Sequence, residues 1–422
     1  MVHKTVITEQ KWFKDSPTGG PCGRYGHRCV VYEDTMYLNG GYNGKERMKD
    51  TFAYNLEKKV WREIENKGEV PSERDCHSAV LYKHYMVIFG GGDGFNWLND
   101  MYMFDIKNEA WKKIEPKGQV PSGRAGHSAN VYKDKMYVFG GWNGRRTLNC
   151  LYCFDFLSGY WSRVETSGVP PQSRDSHTCN LVGDKLIVIG GGDGKQRLND
   201  LHEHDIISGK WRRLSYIGEV NAGRAGHVSV VFDGKIYIFA GGDGSNWLTD
   251  VYECDTTCMK WTLIETAGTN NESNIAPGCY GLSAVLYKTS MVIFGGGDGK
   301  SWHNKIYEFK LGDDKRKRET KSKLFNEARY NKLTDICIVC GDEVSSTITT
   351  SSMMSAKVDD ASYFKPKRAL KEPSVSSLLS TSTVTRSSLD IASIIRESDI
   401  GFREFLEFEN ALIQNSRMED DN

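Results

Sequence analysis

Short β-rich runs alternate with turn-forming residues along the chain up to about residue 310. In the stretch from Gly123 to Gly144, an alternating apolar and polar run ends at Tyr132, a polar turn follows, and a fully apolar run reaches Phe139. Two such runs separated by a turn predict a β-hairpin. A double glycine ends this hairpin, because glycine adopts positive φ at little cost and lets a neighbouring backbone approach.

The hairpin recurs at a fixed spacing. The glycine pairs are 50 residues apart, with a last step of 55, at Gly40-Gly41, Gly90-Gly91, Gly140-Gly141, Gly190-Gly191, Ala240-Gly241 and Gly295-Gly296. The second unit carries four predicted strands, His77–Tyr82, Tyr85–Gly90, Asp100–Asp105 and Ala110–Ile114. A period near fifty residues with several strands per unit is typical of a β-propeller. We therefore predict an all-β, six-bladed propeller.

Three further residue series keep the same step and predict how the blades hold together. They are the arginines Arg24, Arg74, Arg124, Arg174 and Arg224, the histidines His27, His77, His127, His177 and His227, and the tryptophans Trp61, Trp111, Trp161, Trp211 and Trp261. We expect the tryptophans to pack between blades, since a buried indole covers roughly 150–250 Å². The arginines should pair with loop backbone or with Asp50, Asp100, Asp200 and Asp250, and the histidines should hydrogen-bond between blades.

The sixth unit lacks a tryptophan strand after Ile306–Lys310, whereas the N-terminus has a spare one around Trp12. We predict that this N-terminal strand completes the sixth blade. Closure of the ring removes the unpaired edge that an open sheet would expose.

Composition narrows the classes of function. Lysine plus arginine equals aspartate plus glutamate, 55 each, which argues against a nucleic-acid partner. The first residues contain no apolar signal core and no run approaches the length of a membrane span, so we expect a cytoplasmic or nuclear protein with no membrane partner. The 11 cysteines are then expected to be reduced. The pairs Cys150/Cys153 and Cys337/Cys340 are not expected to bind a metal, because residues three apart in a strand point to opposite faces; the second pair also has no further Cys pair or histidine after it.

The repeats resemble kelch repeats. The resemblance rests on the Gly-Glu-Val-Pro-x-x-Arg lead-in that ends at Arg74, the glycine-rich pattern from Gly91 to Asp100, a third-strand aromatic and a fourth-strand tryptophan. It assigns residues 1–310 to the propeller. The sixth unit departs from the pattern with Cys279 and Leu282 in place of Arg and His, after the insertion 269–274.

The remainder of the chain has a different character. We assign residues 311–332 to a charged linker, 333–366 to a BTB-like remnant, 367–388 to a Ser/Thr-rich disordered segment and 389–414 to an amphipathic helical segment. Only the stretch 333–342 resembles a BTB domain, as its opening strand. Kelch repeats followed by a BTB-like strand resemble the leucine-zipper-like transcriptional regulator family, which implies a substrate adaptor of a cullin ubiquitin ligase.

Residues that differ between blades at exposed loops are the candidates for partner binding. The loops between the second and third strands carry aromatic and basic residues, and exposed Trp, Tyr and Arg are typical of interface hot spots. The candidates are Tyr42, Arg47, Phe95, Trp97, Trp142, Arg145, Arg146, Lys195, Arg197, Trp247 and Trp302. The alternative is that the loop-end tryptophans fold onto the next blade. The basic residues of the third and fourth loops favour an acidic segment as the partner.

The sequence predicts a non-enzymatic scaffold or adaptor that binds a partner protein or peptide on the loop face. No catalytic constellation, phosphate loop or metal-ligand motif can be read from it, so we expect no cofactor. Two alternatives stay open, an adaptor that recruits a cullin and an actin-binding or polarity scaffold. An enzyme such as a kelch copper oxidase is the least favoured, because no converging metal ligands are visible.

Overall fold

The computed structural model describes residues 12–15, 17, 19–219, 222–264 and 276–312. These residues form six antiparallel sheets, each of which is one blade. The first strand of every blade contacts the first strands of both neighbouring blades, so the inner strands close a ring around a central axis. The all-β, six-bladed propeller predicted from the repeat is confirmed.

Each blade contains four main strands, ordered here from the axis outward. Blade 1 has Arg28–Tyr32, Thr35–Asn39, Thr51–Asn55 and Val60–Ile64; blade 2 has Ser78–Tyr82, Tyr85–Phe89, Met101–Asp105 and Ala110–Ile114. Blade 3 has Ser128–Tyr132, Lys135–Phe139, Leu151–Asp155 and Tyr160–Arg163; blade 4 has Thr178–Val182, Lys185–Gly192, Arg197–Asp205 and Lys210–Leu214. Blade 5 has Val228–Phe232, Lys235–Phe239, Val251–Asp255 and Lys260–Ile264; blade 6 has Ser283–Tyr287, Ser290–Phe294, Ile306–Lys310 and Trp12–Asp15.

The N-terminal strand closes the ring. Trp12–Asp15 pairs antiparallel with Ile306–Lys310, with Trp12 opposite Phe309. The outer strand of blade 6 is therefore supplied from the other end of the propeller sequence, as the spare tryptophan predicted.

Two-residue strands at the outer edge were missed by sequence reasoning. Lys67–Gly68, which follows blade 1, pairs in parallel with Ala110–Trp111 of blade 2. The pairs Lys117–Gly118, Ser167–Gly168 and Ile217–Gly218 do the same after blades 2, 3 and 4. The connection between two blades thus covers the outer edge of the second one.

The apolar core lies between neighbouring blades. Every residue of the second strand Tyr85–Phe89 is buried, because this strand is covered by a blade on each side. Trp111 is 2% exposed and joins a cluster with Val30 and Ile64 of blade 1. The other four tryptophans of the series are also buried, which confirms their assignment to inter-blade packing.

The buried arginines clamp the loop between the second and third strands of their own blade. Arg74 donates from Nη1 to the Gly90 carbonyl at 3.0 Å and to Asp100 Oδ1 at 2.7 Å, while its Nη2 reaches Asp100 Oδ2 at 3.0 Å. Arg24, Arg174 and Arg224 repeat this pattern with Asp50, Asp200 and Asp250. The predicted ion pairs are confirmed. Burial alone would raise the pKa of Asp200, but hydrogen bonds from Arg174 and His202 hold that pKa well below its usual range.

A closed ring of backbone hydrogen bonds surrounds the axis, two residues after each arginine position. Each amide donates to the preceding blade: Gly26 to Gly281 (2.7 Å), Cys76 to Gly26 (2.7 Å), Gly126 to Cys76 (2.9 Å), Ser176 to Gly126 (2.8 Å), Gly226 to Ser176 (2.8 Å) and Gly281 to Gly226 (3.1 Å). All six residues have positive φ, and two of them, Cys76 and Ser176, are not glycine.

The departures in blades 5 and 6 compensate one another. A side chain at Gly90 would meet the His127 ring at 3.0 Å, and the other glycines at this position face a histidine of the next blade in the same way. Ala240 takes the place of this glycine at φ 64°, and the next blade carries Leu282 instead of histidine. Cys279 replaces the arginine of blade 6, and Lys305 stands where four of the other blades have the aspartate partner.

The segments predicted after the propeller lie outside the described residues. This holds for the BTB-like, Ser/Thr-rich and helical segments, for the insertion 269–274, and for all of the linker except Leu311 and Gly312. Leu311 is buried against blade 5, one residue beyond the predicted domain end.

We predict that Cys150→Asp stabilises the protein. Arg124 is 1% exposed and its Nη1 contacts Cys150 Sγ at 3.5 Å, where four other blades supply an aspartate. No described carboxylate pairs with Arg124, so a new one should add roughly 1–2 kcal/mol to the free energy of unfolding. Urea unfolding at neutral pH measures the change.

Asp100→Cys is the matched reverse substitution and should lower stability by a similar amount. A loss of stability in Cys150→Asp would contradict the prediction, because it would show that blade 3 cannot form the Arg–Asp pair of the other blades.

Candidate interaction face and axial cavity

The loops between the second and third strands are held rigid by their own aspartate or asparagine. Asp93 Oδ1 accepts hydrogen bonds from the amides of Phe95 (2.8 Å) and Asn96 (2.6 Å). The same turn occurs at Asn43, Asn143, Asp193, Asp243 and Asp298. Hydrogen bonds from the amides of Asn246 and Ser245 lower the pKa of Asp243. Each loop therefore presents its tip residues from a fixed backbone.

The candidate partner-binding residues lie on these six loops, apart from Arg197, which begins the third strand of blade 4. The loops end on the same face as the arginine clamps. Phe95 is 90% exposed, and the basic residues Arg145, Arg146, Lys195 and Arg197 are exposed as well. Tyr42, Arg47, Trp142 and Trp302 are half-buried. Their role in binding stays a prediction.

Two clefts bring some of these residues together. One cleft, of about 480 Å³, lies between the loops of blades 2 and 3 and is lined by Phe95, Trp97 and Arg145. A second, of about 340 Å³, joins Arg197 and Trp247 between the loops of blades 4 and 5.

The loop-end tryptophans serve packing and surface at once. A side chain on Gly144 would meet the Trp97 ring at 2.7 Å, so this indole lies over the loop of the next blade. Trp302 lies over Gly44 in the same manner, and Trp247 reaches Gly299. Nevertheless Trp97 remains 43% exposed and Trp247 42%. The packing alternative therefore applies to these side chains, and the exposed part of Trp97 and Trp247 keeps partner binding as a prediction.

Sequence reasoning missed two aromatic residues that organise this face, Tyr25 and Tyr280. Tyr25 lies 5.0 Å from Trp302 and 5.1 Å from Tyr280, measured between ring centroids, and Tyr280 stacks on Trp247 at 4.8 Å. With Tyr42 these residues form an aromatic cluster across blades 5, 6 and 1. The sequence could have indicated these residues, because the position after each arginine, or after Cys279 in blade 6, differs between blades. The residues there are Tyr25, Asp75, Ala125, Asp175, Ala225 and Tyr280.

Charged side chains lie beside the aromatic cluster and also across the face from it. Arg47 Nε lies 3.1 Å from Asp75 Oδ2, and the Arg47 guanidinium lies 5.3 Å from the centre of the Tyr42 ring. The structure shows no ion pair between a described carboxylate and Arg145, Arg146 or Lys195. Uncompensated basic side chains thus lie on blades 3 and 4, opposite the aromatic cluster.

A cavity of about 340 Å³ follows the axis behind this face. All six blades line it, from the positions of Tyr25 and Tyr280 at the loops to Cys29 and Ala284 in the inner strands. Three of the buried histidines also line it, and each is hydrogen-bonded to a hydroxyl of the preceding blade: His127 to Ser78 (2.9 Å), His177 to Ser128 (2.8 Å) and His227 to Thr178 (3.0 Å). The inter-blade role predicted for the histidines is confirmed for these three.

The described residues hold no group of three or more His, Cys, Asp or Glu side chains placed to bind a metal ion. In the same part of the chain, no helix has the length and apolarity needed to cross a membrane.

The fold and repeats define a kelch-repeat β-propeller. A family model described as the FBX42 beta-propeller domain matches residues 24–211, which span blades 1 to 4, and the kelch motif model matches residues 223–266 in blade 5. Such a propeller fits a module for protein interaction.

One curated relative matches over a short stretch. Rho GTPase-activating protein gacHH of Dictyostelium discoideum is 36% identical over 62 residues, which covers 15% of this chain and 4% of that protein. The likeness therefore concerns about one repeat and leaves nearly all of that protein unmatched.

We predict that acid destabilises the protein through the buried histidines. Burial, followed by the nearby Arg174, lowers the pKa of His177 to about 3, whereas an unfolded histidine has a pKa near 6.5. Between these values the unfolded chain binds more protons, so the stability present above pH 6.5 is lost as the pH falls towards 3. The expected slope is about 1.4 kcal/mol per pH unit for each such histidine.

Urea unfolding between about pH 7.5 and about pH 4.5 measures this dependence, because the unfolded histidine titrates within this range, near pH 6.5. His177→Gln should reduce the slope by the contribution of one histidine, about 1.4 kcal/mol per pH unit. An unchanged slope in that variant would contradict the neutral, buried state of His177.

Proposed function

We propose that this protein is a non-enzymatic interaction module that binds a partner protein on the loop face of its propeller. The observation that carries the proposal is the contrast between repeated and varied positions. The repeated arginines, histidines and tryptophans are buried in the propeller, whereas the varied loop residues named above are exposed or half-buried on one face. Residues not needed by the ring are available to a partner.

The chemistry of this face favours an extended segment with both apolar and acidic residues. Phe95 and Trp97 offer apolar surface next to Arg145 in one cleft, and Trp247 lies beside Arg197 in the other. Exposed aromatic side chains with neighbouring arginines are enriched among interface hot spots. Acidic residues would pair with the basic side chains that have no carboxylate partner on blades 3 and 4.

An adaptor of a cullin ubiquitin ligase is the second proposal. It depends on the BTB-like segment 333–366, which lies outside the described residues. A shortened protein that ends at Gly312 would keep the proposed partner-binding face but lose cullin recovery. An actin-binding or polarity scaffold would instead co-sediment with filaments.

We predict that Phe95→Ser weakens partner binding by at least about tenfold without changing stability. Phe95 is 90% exposed and therefore contributes little to the fold, while loss of a hot-spot aromatic costs more than about 1.4 kcal/mol of binding. Affinity purification of the full chain, followed by quantitative mass spectrometry, compares the recovered partners.

Ile207→Ser is the matched control, because Ile207 is 68% exposed in a turn on the opposite face. If Ile207→Ser loses the partners and Phe95→Ser keeps them, the partner binds the other face. Equal recovery by both variants would contradict the proposed role of Phe95.

A further inference from the structure

Arg28 interrupts a series of hydrogen bonds between histidines and hydroxyls. At three junctions the residue after one blade's histidine supplies the hydroxyl that the next blade's histidine contacts, as Ser78 does for His127. At the junction of blades 6 and 1 the Ser283 hydroxyl donates instead to the backbone oxygen of His27, and the His27 ring nitrogens have no hydrogen-bond partner among the described residues. At the junction of blades 5 and 6 both partners are apolar, Val228 and Leu282. At the junction of blades 1 and 2, however, Arg28 stands where His77 needs a hydroxyl.

His77 has no hydrogen-bond partner at this junction. It is fully buried, and neither of its ring nitrogens has a hydrogen-bond partner among the described residues. An unsatisfied buried polar group destabilises a fold by about 1–3 kcal/mol. Arg28 therefore stands at a position where a serine, in blades 2 and 3, satisfies the histidine of the next blade.

Arg28 also places an uncompensated charge in the axial cavity. It lines the cavity, and its one hydrogen bond among the described residues goes from Nη1 to the backbone oxygen of His27 at 2.9 Å. No carboxylate is among the lining residues. Arg28 forms no ion pair with a described carboxylate, since the nearby Asp75 contacts Arg47 and interacts with Arg28 only at longer range.

The other titratable groups of the cavity are neutral near pH 7. Burial raises the pKa of the thiols of Cys29, Cys76 and Cys179 to about 12. Burial likewise raises the pKa of the hydroxyl groups of Tyr25 and Tyr280. The lining histidines are neutral as well, because burial lowers their pKa. Arg28 is thus the single formal charge of a cavity lined by hydroxyls, thiols and backbone.

We propose that the axial cavity is an anion-binding site in which Arg28 binds a carboxylate. A guanidinium offers a planar pair of donors that matches a carboxylate. The cavity volume of about 340 Å³ admits a small dicarboxylate or one acidic side chain of a bound segment. The aromatic residues Tyr25 and Tyr280 line the cavity and also belong to the aromatic cluster, so the site opens on the proposed partner-binding face.

The test uses the full chain and its thermal unfolding at constant ionic strength. The probes are succinate, with succinamide as the neutral match, and a capped Gly-Gly-Glu-Gly-Gly peptide, with its Gln counterpart as the match. Either carboxylate should raise the melting temperature of the wild type in a saturable manner, while the neutral probes should not. A response to succinate alone indicates a free small carboxylate as the ligand, and a response to the peptide indicates an acidic side chain.

Arg28→Ser should lose this response, with at least a tenfold weaker apparent affinity. Without any probe it should melt at a higher temperature than the wild type, because the introduced hydroxyl can hydrogen-bond to His77 as Ser78 does to His127. Arg213→Ser is the matched control, since Arg213 is exposed on an outer strand. It should respond like the wild type.

The proposal is overturned if neither carboxylate acts on the wild type, or if Arg28→Ser responds as the wild type does. An Arg28→Ser protein that unfolds at a lower temperature without probes would show that Arg28 serves the fold, and would equally overturn it. The readout does not involve Phe95 or an unknown partner, so failure here leaves the proposed partner binding to be judged by its own experiment.

Discussion

The closed ring of six backbone hydrogen bonds around the axis is the constraint on which the propeller depends. Each blade donates to the one before it, and the last bond is made only when the sixth blade meets the first. All six ring residues have positive φ, which explains why four of them are glycine, while Cys76 and Ser176 adopt the same conformation without it. The glycine pair of each blade must also admit the next blade's arginine carbonyl, as the bond from Gly91 to Arg124 at 2.8 Å shows.

This constraint divides the residues into two groups. Arginines, histidines and tryptophans that recur in the blades hold a blade to itself or to its neighbour. Where one of them is lost, its partner changes too, as in the replacement of histidine by Leu282 next to Ala240. Positions whose side chains do not hold the blades together differ between blades. These positions concentrate on the loop face and at the mouth of the axial cavity. Arg28 stands where a hydroxyl could hydrogen-bond to His77, and it does not serve that contact, which is why its position suggests a function.

Most of the fold could be predicted from the sequence, because the repeat supplies six aligned copies of the same local pattern. The step of 50 residues predicted the Arg–Asp pairs, the buried tryptophans and the N-terminal closing strand without knowledge of any contact. The two-residue edge strands escaped prediction, since a strand as short as Lys67–Gly68 has no hydrophobic period. The segments beyond Gly312 keep the status of predictions.

The candidate site was predictable in part. The antiparallel order of the strands predicted that these loops share one face of the propeller. Tyr25, Tyr280 and Arg28 were missed, because only the loops between the second and third strands were compared across blades. The position of Trp97 could not be settled from the sequence, since an indole that covers the next loop glycine can remain 43% exposed. Side-chain direction at a loop end depends on the neighbouring blade, and that information is not local.

The most direct test of the central claim maps contacts with a photo-crosslinking amino acid placed at equivalent positions of both faces in the full chain. The loop-face positions are Lys45, Phe95, Arg145, Lys195, Ser245 and Lys300, and those of the opposite face are Glu57, Lys107, Leu157, Ile207 and Thr257, all exposed. We expect a shared crosslinked partner from several loop-face positions and none of it from the opposite face. Crosslinks to that partner from the opposite face alone would contradict the assignment of binding to the loop face.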